Sequence, residues 1–235
     1  MRALFIQQDH MSPTGPIGEA LADRGYDIDH FLVVPSEKFP DPHVKVTFPD
    51  PLQYDVIVPM GAIWAVYDHH VIDWIADELA LLRQAHDTGI PLFGICFGGQ
   101  AVAAALGGSV HKAPAREVGW TSLETTRPDL LGGGPWFEWH QDRWVPPAGA
   151  TTIARTAKAD QAFVVGRSLA LQFHPEVGLN TLMGWLENGG YAELEKYGYD
   201  AEAMIQQTKD IESDAAVRAR RLVNNFLDQV ATVPI

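Results

Sequence analysis

The chain carries a single cysteine in 235 residues. One thiol cannot close an internal disulfide, so a disulfide scaffold is excluded and a reducing, cytoplasmic setting is expected. Basic residues are also scarce. Seventeen Lys and Arg face 30 Asp and Glu, for a formal net charge of −13. Such a surface repels phosphate backbones and anionic lipid, so neither nucleic acid nor membrane is expected as a partner. The cluster Arg218, Arg220 and Arg221 reads as the solvated face of a helix. No apolar run approaches the ~20 residues a membrane-spanning helix needs. The opening MRALFIQQD is short and ends in polar residues, the pattern of a buried strand rather than a signal peptide. Internal repeats, low-complexity stretches and linkers are absent from the sequence.

What is present is ordinary globular composition, 46% apolar and 20% charged. That suits one sizeable α/β domain. Ala3 to Ile6 reads as a strand, followed by a Gly/Pro turn and a helix through Glu19 to Asp23. Ile28 to Val34 and Asp55 to Val58 read as further strands. Ile72, Ile75, Leu79 and Leu82 recur at helical spacing, and Gly89 ends that helix. Ile90 to Ile95 then reads as a strand and Gly98 to Leu106 as a helix. Strands alternating with helices predict an open, mostly parallel sheet flanked by helices. Segments 117–126, 150–157 and 162–173 are rich in Val, Thr, Ile and Phe and predict extra antiparallel strands in the second half. From 179 the chain reads as helical. The expected organisation is a catalytic domain over 1–178, with a helical C-terminal extension over 179–235 packed on it.

The chemistry concentrates in PLFGICFGGQ. A strand runs into Gly94-Ile95-Cys96-Phe97-Gly98, and a small-residue helix follows at once. A sharp strand-to-helix turn needs flanking glycines, because side chains there would clash. The apex residue, Cys96, then projects at the carboxyl end of the sheet and at a helix N-terminus. The positive end of that helix favours thiolate over thiol. The N–H of Phe97 points where an oxyanion would form. A lone cysteine is more often a small buried hydrophobe; the G-x-C-x-G setting argues for the nucleophile.

His174 and Glu176 stand in LQFHPEV. Residues i and i+2 of an extended chain share a face, and Pro175 keeps His174 out of helical geometry. Glu176 can therefore orient the imidazole, leaving its other nitrogen for a thiol, the logic of a catalytic triad. His10 and His140 are candidates for lining a site. His69 and His70, being adjacent, would diverge by about 100° on a helix and make a poor metal pair. No metal and no cofactor is expected.

Gly94-Ile95-Cys96-Phe97-Gly98-Gly99-Gln100 and His174-Pro175-Glu176 together resemble the class I, triad-type glutamine amidotransferases. The likeness is greatest to the glutaminase domain of GMP synthase and its stand-alone paralogues. It extends over roughly residues 1 to 178, with support from MGAIWAVYD, EVGW, WHQDRWVPPAGA and QAFVVG. The resemblance implies a flavodoxin-like fold. It implies that Cys96 forms a γ-glutamyl thioester, that His174 acts as base then acid, and that Glu176 orients it. Gly61 and Ala62 match the family's oxyanion loop beside Phe97. Gln100 matches the residue holding the substrate amide. His140, Gln141 and Asp142 fall where the family binds the α-amino and α-carboxylate groups, in what reads as a loop. The substrate implied is glutamine or another γ-glutamyl compound.

The sequence departs from the family at Gly61-Ala62-Ile63, where Gly-Gly-Pro is usual. A left-handed backbone at Ala62 would cost about 1–2 kcal/mol. The roughly 60 residues after Glu176 hold no nucleotide-binding motif. Three readings follow: a stand-alone γ-glutamyl hydrolase, a glutaminase subunit feeding ammonia to a separate synthetase, or a non-catalytic binding protein on the same fold. The intact Cys, His and Glu argue against the third. A second copy of the chain is a further open partner.

Overall fold

A computed structural model describes residues 1–232. Strand β1 (Arg2–Gln7), helix α1 (Gly15–Asp23) and strand β2 (Asp27–Leu32) open the chain. Then come β3 (Val56–Pro59), α2 (Asp73–Asp87), β4 (Leu92–Ile95) and α3 (Phe97–Ala105). The second half brings β5 (Ser109–Ser122), β6 (Glu124–Thr125), α4 (Pro128–Leu131) and β7 (Pro135–Val145). β8 (Thr151–Arg155), β9 (Asp160–Val165) and β10 (Ser168–Leu171) follow. Helices α5 (Leu179–Trp185), α6 (Tyr191–Tyr197) and α7 (Ala201–Gln229) end it.

Eight strands form one sheet in the order β2-β1-β3-β4-β10-β9-β8-β6. The first five pair in parallel, and β9, β8 and β6 extend the sheet antiparallel. This is the mostly parallel, helix-flanked sheet with added antiparallel strands that the sequence predicts, in flavodoxin-like order. Strands β3, β4 and β10 are buried along their whole length, as a parallel sheet covered on both faces requires. β1 shows the period of two: Ala3 and Phe5 enter one core, Leu4 and Ile6 the other. The first core holds Ile17 and Leu21 of α1 with Leu222, Val223 and Phe226 of α7. The second holds Trp74, Ile75 and Leu82 of α2 with Ala101 and Val102 of α3. Phe226 meets Phe93 of β4 edge-on, at 5.1 Å between ring centroids, so the last helix builds the sheet's own core.

Two expectations change. The segment 135–145 is a strand, not a loop: β7 pairs antiparallel with β5 in a separate two-stranded sheet. His140, Gln141 and Asp142 therefore stand on β7. The basic cluster is not simply solvated. Arg218 donates to the Pro135 carbonyl at 2.9 Å, and Arg220 donates to Glu19 at 2.9 Å and also pairs with Asp23. The acidic outer face of α1 is what attracts Arg220. Among the described residues no helix is long and apolar enough to cross a membrane.

Candidate active site

Cys96 joins β4 to α3 with φ 49° and ψ −108°, the only positive φ at a non-glycine among the described residues. Such a conformation costs of order 1–3 kcal/mol and persists only where the surroundings enforce it. The surroundings do so from both sides. The Cys96 N–H donates to Leu171 of the neighbouring β10 at 2.8 Å, and the Cys96 carbonyl accepts from Gln100 at 2.9 Å. The turn is closed by contact with β3: a Cβ on Gly98 would lie 1.9 Å from the Pro59 carbonyl oxygen. Phe97 is the first residue of α3, so no earlier turn accepts its N–H.

β10 delivers the histidine. Past its end, His174 bridges to β7, its N–H donating to the Phe137 carbonyl at 2.7 Å. Glu176 Oε1 lies 2.7 Å from His174 Nδ1, and both side chains are buried. The Trp185 ring stacks edge-on against the imidazole at 4.9 Å. Burial alone would depress the His174 pKa. The facing Cys96 sulfur and the Glu176 carboxylate override it and hold His174 well above its usual value.

Gly61, at the end of β3, completes the cluster. A Cβ there would sit 2.9 Å from His174 Cε1 and 3.7 Å from Cys96 Cβ. Gly61 thus borders both Cys96 and His174, and Ala62 follows it along the rim of the same chamber. Ala62 is not among the residues with positive φ, so alanine carries no left-handed strain there.

Cys96 lies where two chambers meet. One, of about 640 Å³, is polar and includes Gln100, His140, Gln141 and Asp142. The other, of about 300 Å³, has His174, Phe39, Trp139 and Trp185 on its walls. Ala62, Ile63, Trp139 and Glu193 border both. Phe97 borders the polar chamber, Gly61 the aromatic one, and Glu176 stands behind His174. Apart from Glu176 and His10, then, every expected site residue lines one chamber or both. His10 reaches neither; it packs edge-on against Phe39 at 5.2 Å.

Several contributors escaped the sequence. Buried Gln172, two residues before His174, places its amide 3.8 Å from Cys96 Sγ and accepts from Gln100 at 3.3 Å. The i+2 relation to His174 was its signal. Asp9, just past β1, lines the aromatic chamber, and burial pushes its pKa up to about 6. His140 lies against two buried carboxylates, Glu117 at 3.4 Å and Glu138 at 3.3 Å. Burial opposes its charge, but the two carboxylates prevail and push His140 up to about 10.

Fold and site together define a doubly wound α/β protein with its cysteine at a strand-to-helix elbow beside a histidine–glutamate pair. The chain belongs to the class-I glutamine amidotransferase family, whose model matches residues 53–191. It is 36% identical over 116 residues to a glutamine-hydrolyzing GMP synthase of Stenotrophomonas maltophilia, covering 43% of this chain and 22% of that protein. The GMP synthase of Thermus thermophilus is 37% identical over 116 residues, covering 44% of this chain and 23% of that one. The chain thus spans less than a quarter of these curated relatives. A glutamine amidotransferase from Thermotoga maritima superposes with a TM-score of 0.83 at 25% identity, over 97% of this chain and 99% of that one. One from Methylobacillus flagellatus shares the fold, with a TM-score of 0.82 at 22% identity over 97% and 95%.

Proposed function

We propose that this protein hydrolyses the γ-amide of glutamine or a γ-glutamyl compound through Cys96, His174 and Glu176. Cys96 Sγ adds to the γ-carbonyl carbon, and the N–H groups of Phe97 and the Gly61-Ala62 loop receive the oxyanion. His174 donates its proton to the departing nitrogen as the C–N bond breaks, leaving a γ-glutamyl thioester. Water, deprotonated by the now neutral His174, releases glutamate and regenerates the thiol. Glu176 holds the ring through Nδ1, which leaves Nε2 for the proton transfers. The polar chamber suits the glutamyl end. Lys112 can meet the α-carboxylate, and Asp142 the α-ammonium; Arg116, paired with Glu193, frames the same wall.

The observation that carries this reading is the strained Cys96 elbow held beside a histidine that is itself bonded to Glu176. Cys96→Ala should abolish γ-glutamyl hydrolysis while circular dichroism and melting temperature stay native. Turnover persisting in that variant would sink the proposal. A glutamine-directed diazo-ketone should add once to the wild type by intact mass and not at all to Cys96→Ala.

A second reading draws on the glutamine-hydrolyzing GMP synthases, which match this chain over only 22% of their length. The chain would then supply ammonia to a separate synthetase. Glutaminase activity appearing only when such a synthetase is added would favour it over independent hydrolysis.

A further inference from the structure

The two chambers flanking Cys96 differ in charge as well as in wall chemistry. The polar one has Lys112 and Lys196 on its walls with Asp68 and Asp142, a set that can pair with a zwitterion, beside an Arg116–Glu193 ion pair. The aromatic one has no lysine or arginine, and its acids are Asp9 and Glu193. Only the aromatic chamber is bordered by His174. The group that protonates the departing nitrogen must reach it, so the leaving amine belongs on that side of the sulfur. Ammonia needs no more room than a water molecule, about 30 Å³. The chamber offers about 300 Å³.

Its walls are fixed by bonds the triad does not use. The Trp185 indole donates to the Met11 carbonyl at 2.7 Å and crosses Trp139 edge-on at 5.8 Å. Phe39 adds a third ring to the wall, set edge-on to Trp64 at 6.2 Å between ring centroids. Met11 N–H holds Asp9 Oδ1 at 2.8 Å, which fixes that carboxyl at the wall. Flat apolar surfaces with an acid among them accept an aromatic or cationic amine body and reject one bearing a carboxylate.

Building on the proposed γ-glutamyl hydrolysis, we infer that the preferred substrates are γ-glutamyl amides of aromatic primary amines, with the amine body between Phe39, Trp139 and Trp185. Cys96 Sγ bonds to the γ-carbonyl, the C–N bond breaks, and the His174 proton leaves with the amine. Water then completes the cycle, so one amide and one water yield glutamate and one free amine. γ-Glutamyl amino acids are poor substrates because their α-carboxylate would face Asp9, with no free cation among the described residues on the wall to receive it: Glu193 already holds Arg116.

The test compares γ-L-glutamylbenzylamide, L-glutamine and γ-L-glutamylglycine on the full chain. The expected order of kcat/KM is benzylamide first, at least tenfold above glutamine, with γ-glutamylglycine last. Phe39→Ala should lower the benzylamide-to-glutamine ratio at least fivefold. Asp9→Asn should raise γ-glutamylglycine relative to benzylamide. Glutamine turned over as well as the benzylamide would overturn the inference while leaving γ-glutamyl hydrolysis standing. No turnover of any of the three, with no diazo-ketone adduct on Cys96, would remove the underlying reading and the inference with it.

Discussion

Glu138 Oε2 lies 3.3 Å from His140 Nε2, with both side chains buried on β7 beneath the polar chamber. Glu117 approaches the same nitrogen from β5 at 3.4 Å, and Gln161 donates to Glu117 at 2.9 Å. A cation thus sits between two carboxylates in the seam that pairs the small sheet. Glu117 is held below its usual range: burial raises it, but His140 and Thr156 outweigh that. Burial keeps Glu138 raised, so His140 and Glu117 form the firmer ion pair.

The His140 pKa of about 10 exceeds the value near 6.5 of an unfolded chain. Its contribution to stability is therefore complete below about pH 6.5 and lost as pH rises towards about 10. Calorimetry from pH 6 to 10 should show a falling melting temperature. His140→Gln should flatten that fall and cost about 3–5 kcal/mol at neutral pH, because two buried carboxylates lose their cation. Equal stability of variant and wild type at pH 7 would contradict the ion-pair account.

Glu176→Gln keeps the shape of the side chain but removes the negative charge beside His174 Nδ1. Loss of the orienting anion should lower kcat roughly 10²–10⁴-fold, the scale of general acid–base catalysis. KM should hardly move, since Glu176 borders neither chamber. Steady-state kinetics on any accepted γ-glutamyl substrate separates the two parameters. A change confined to KM would remove Glu176 from the proposed triad.

Gly98→Ala should destabilise the fold. The new methyl would lie 1.9 Å from the Pro59 carbonyl oxygen, so β3 and α3 must part. Overpacking of this kind costs about 1–3 kcal/mol or more. Chemical denaturation should show a lower midpoint with an unchanged slope. A midpoint equal to wild type would mean that the elbow tolerates separation from β3.

Glu78 is fully buried on α2, with the Gln8 amide donating to it at 2.7 Å. Burial pushes its pKa up to about 8. A carboxyl raised in the folded state loses stability as pH climbs from about 4.5, its ordinary value, to about 8. Above pH 8, Glu78→Gln should therefore stabilise the protein, on the order of 5 kcal/mol, because it removes an ionisation the core resists. Below pH 5 variant and wild type should melt alike. A variant less stable at every pH would show that the Gln8 contact needs the acid.

The elbow was legible because its signals are local: an apolar run, glycines on either side of Cys96, and small residues after it. His174 and Glu176 were legible because two residues of extended chain bring them to one face. β7 was not, and the reason is physical. Alternation betrays a strand only when the inward positions are apolar, and here two of them are Glu138 and His140. Their mutual neutralisation through Glu117 is a tertiary event that no window of sequence reports. Trp185 and Asp9 were missed for a related cause. Each reaches the site from a distant segment, and neither carries a pattern of its own.

The bond from the Trp185 indole to the Met11 carbonyl joins residues 174 positions apart. Chains are made from the N-terminus, and domains fold as their segments emerge. The turn at Cys96 needs Leu171 to accept its N–H, and its base is His174, so neither is in place when Cys96 emerges. Thiol, base and the Trp185 wall therefore come together late, from separate segments of the chain.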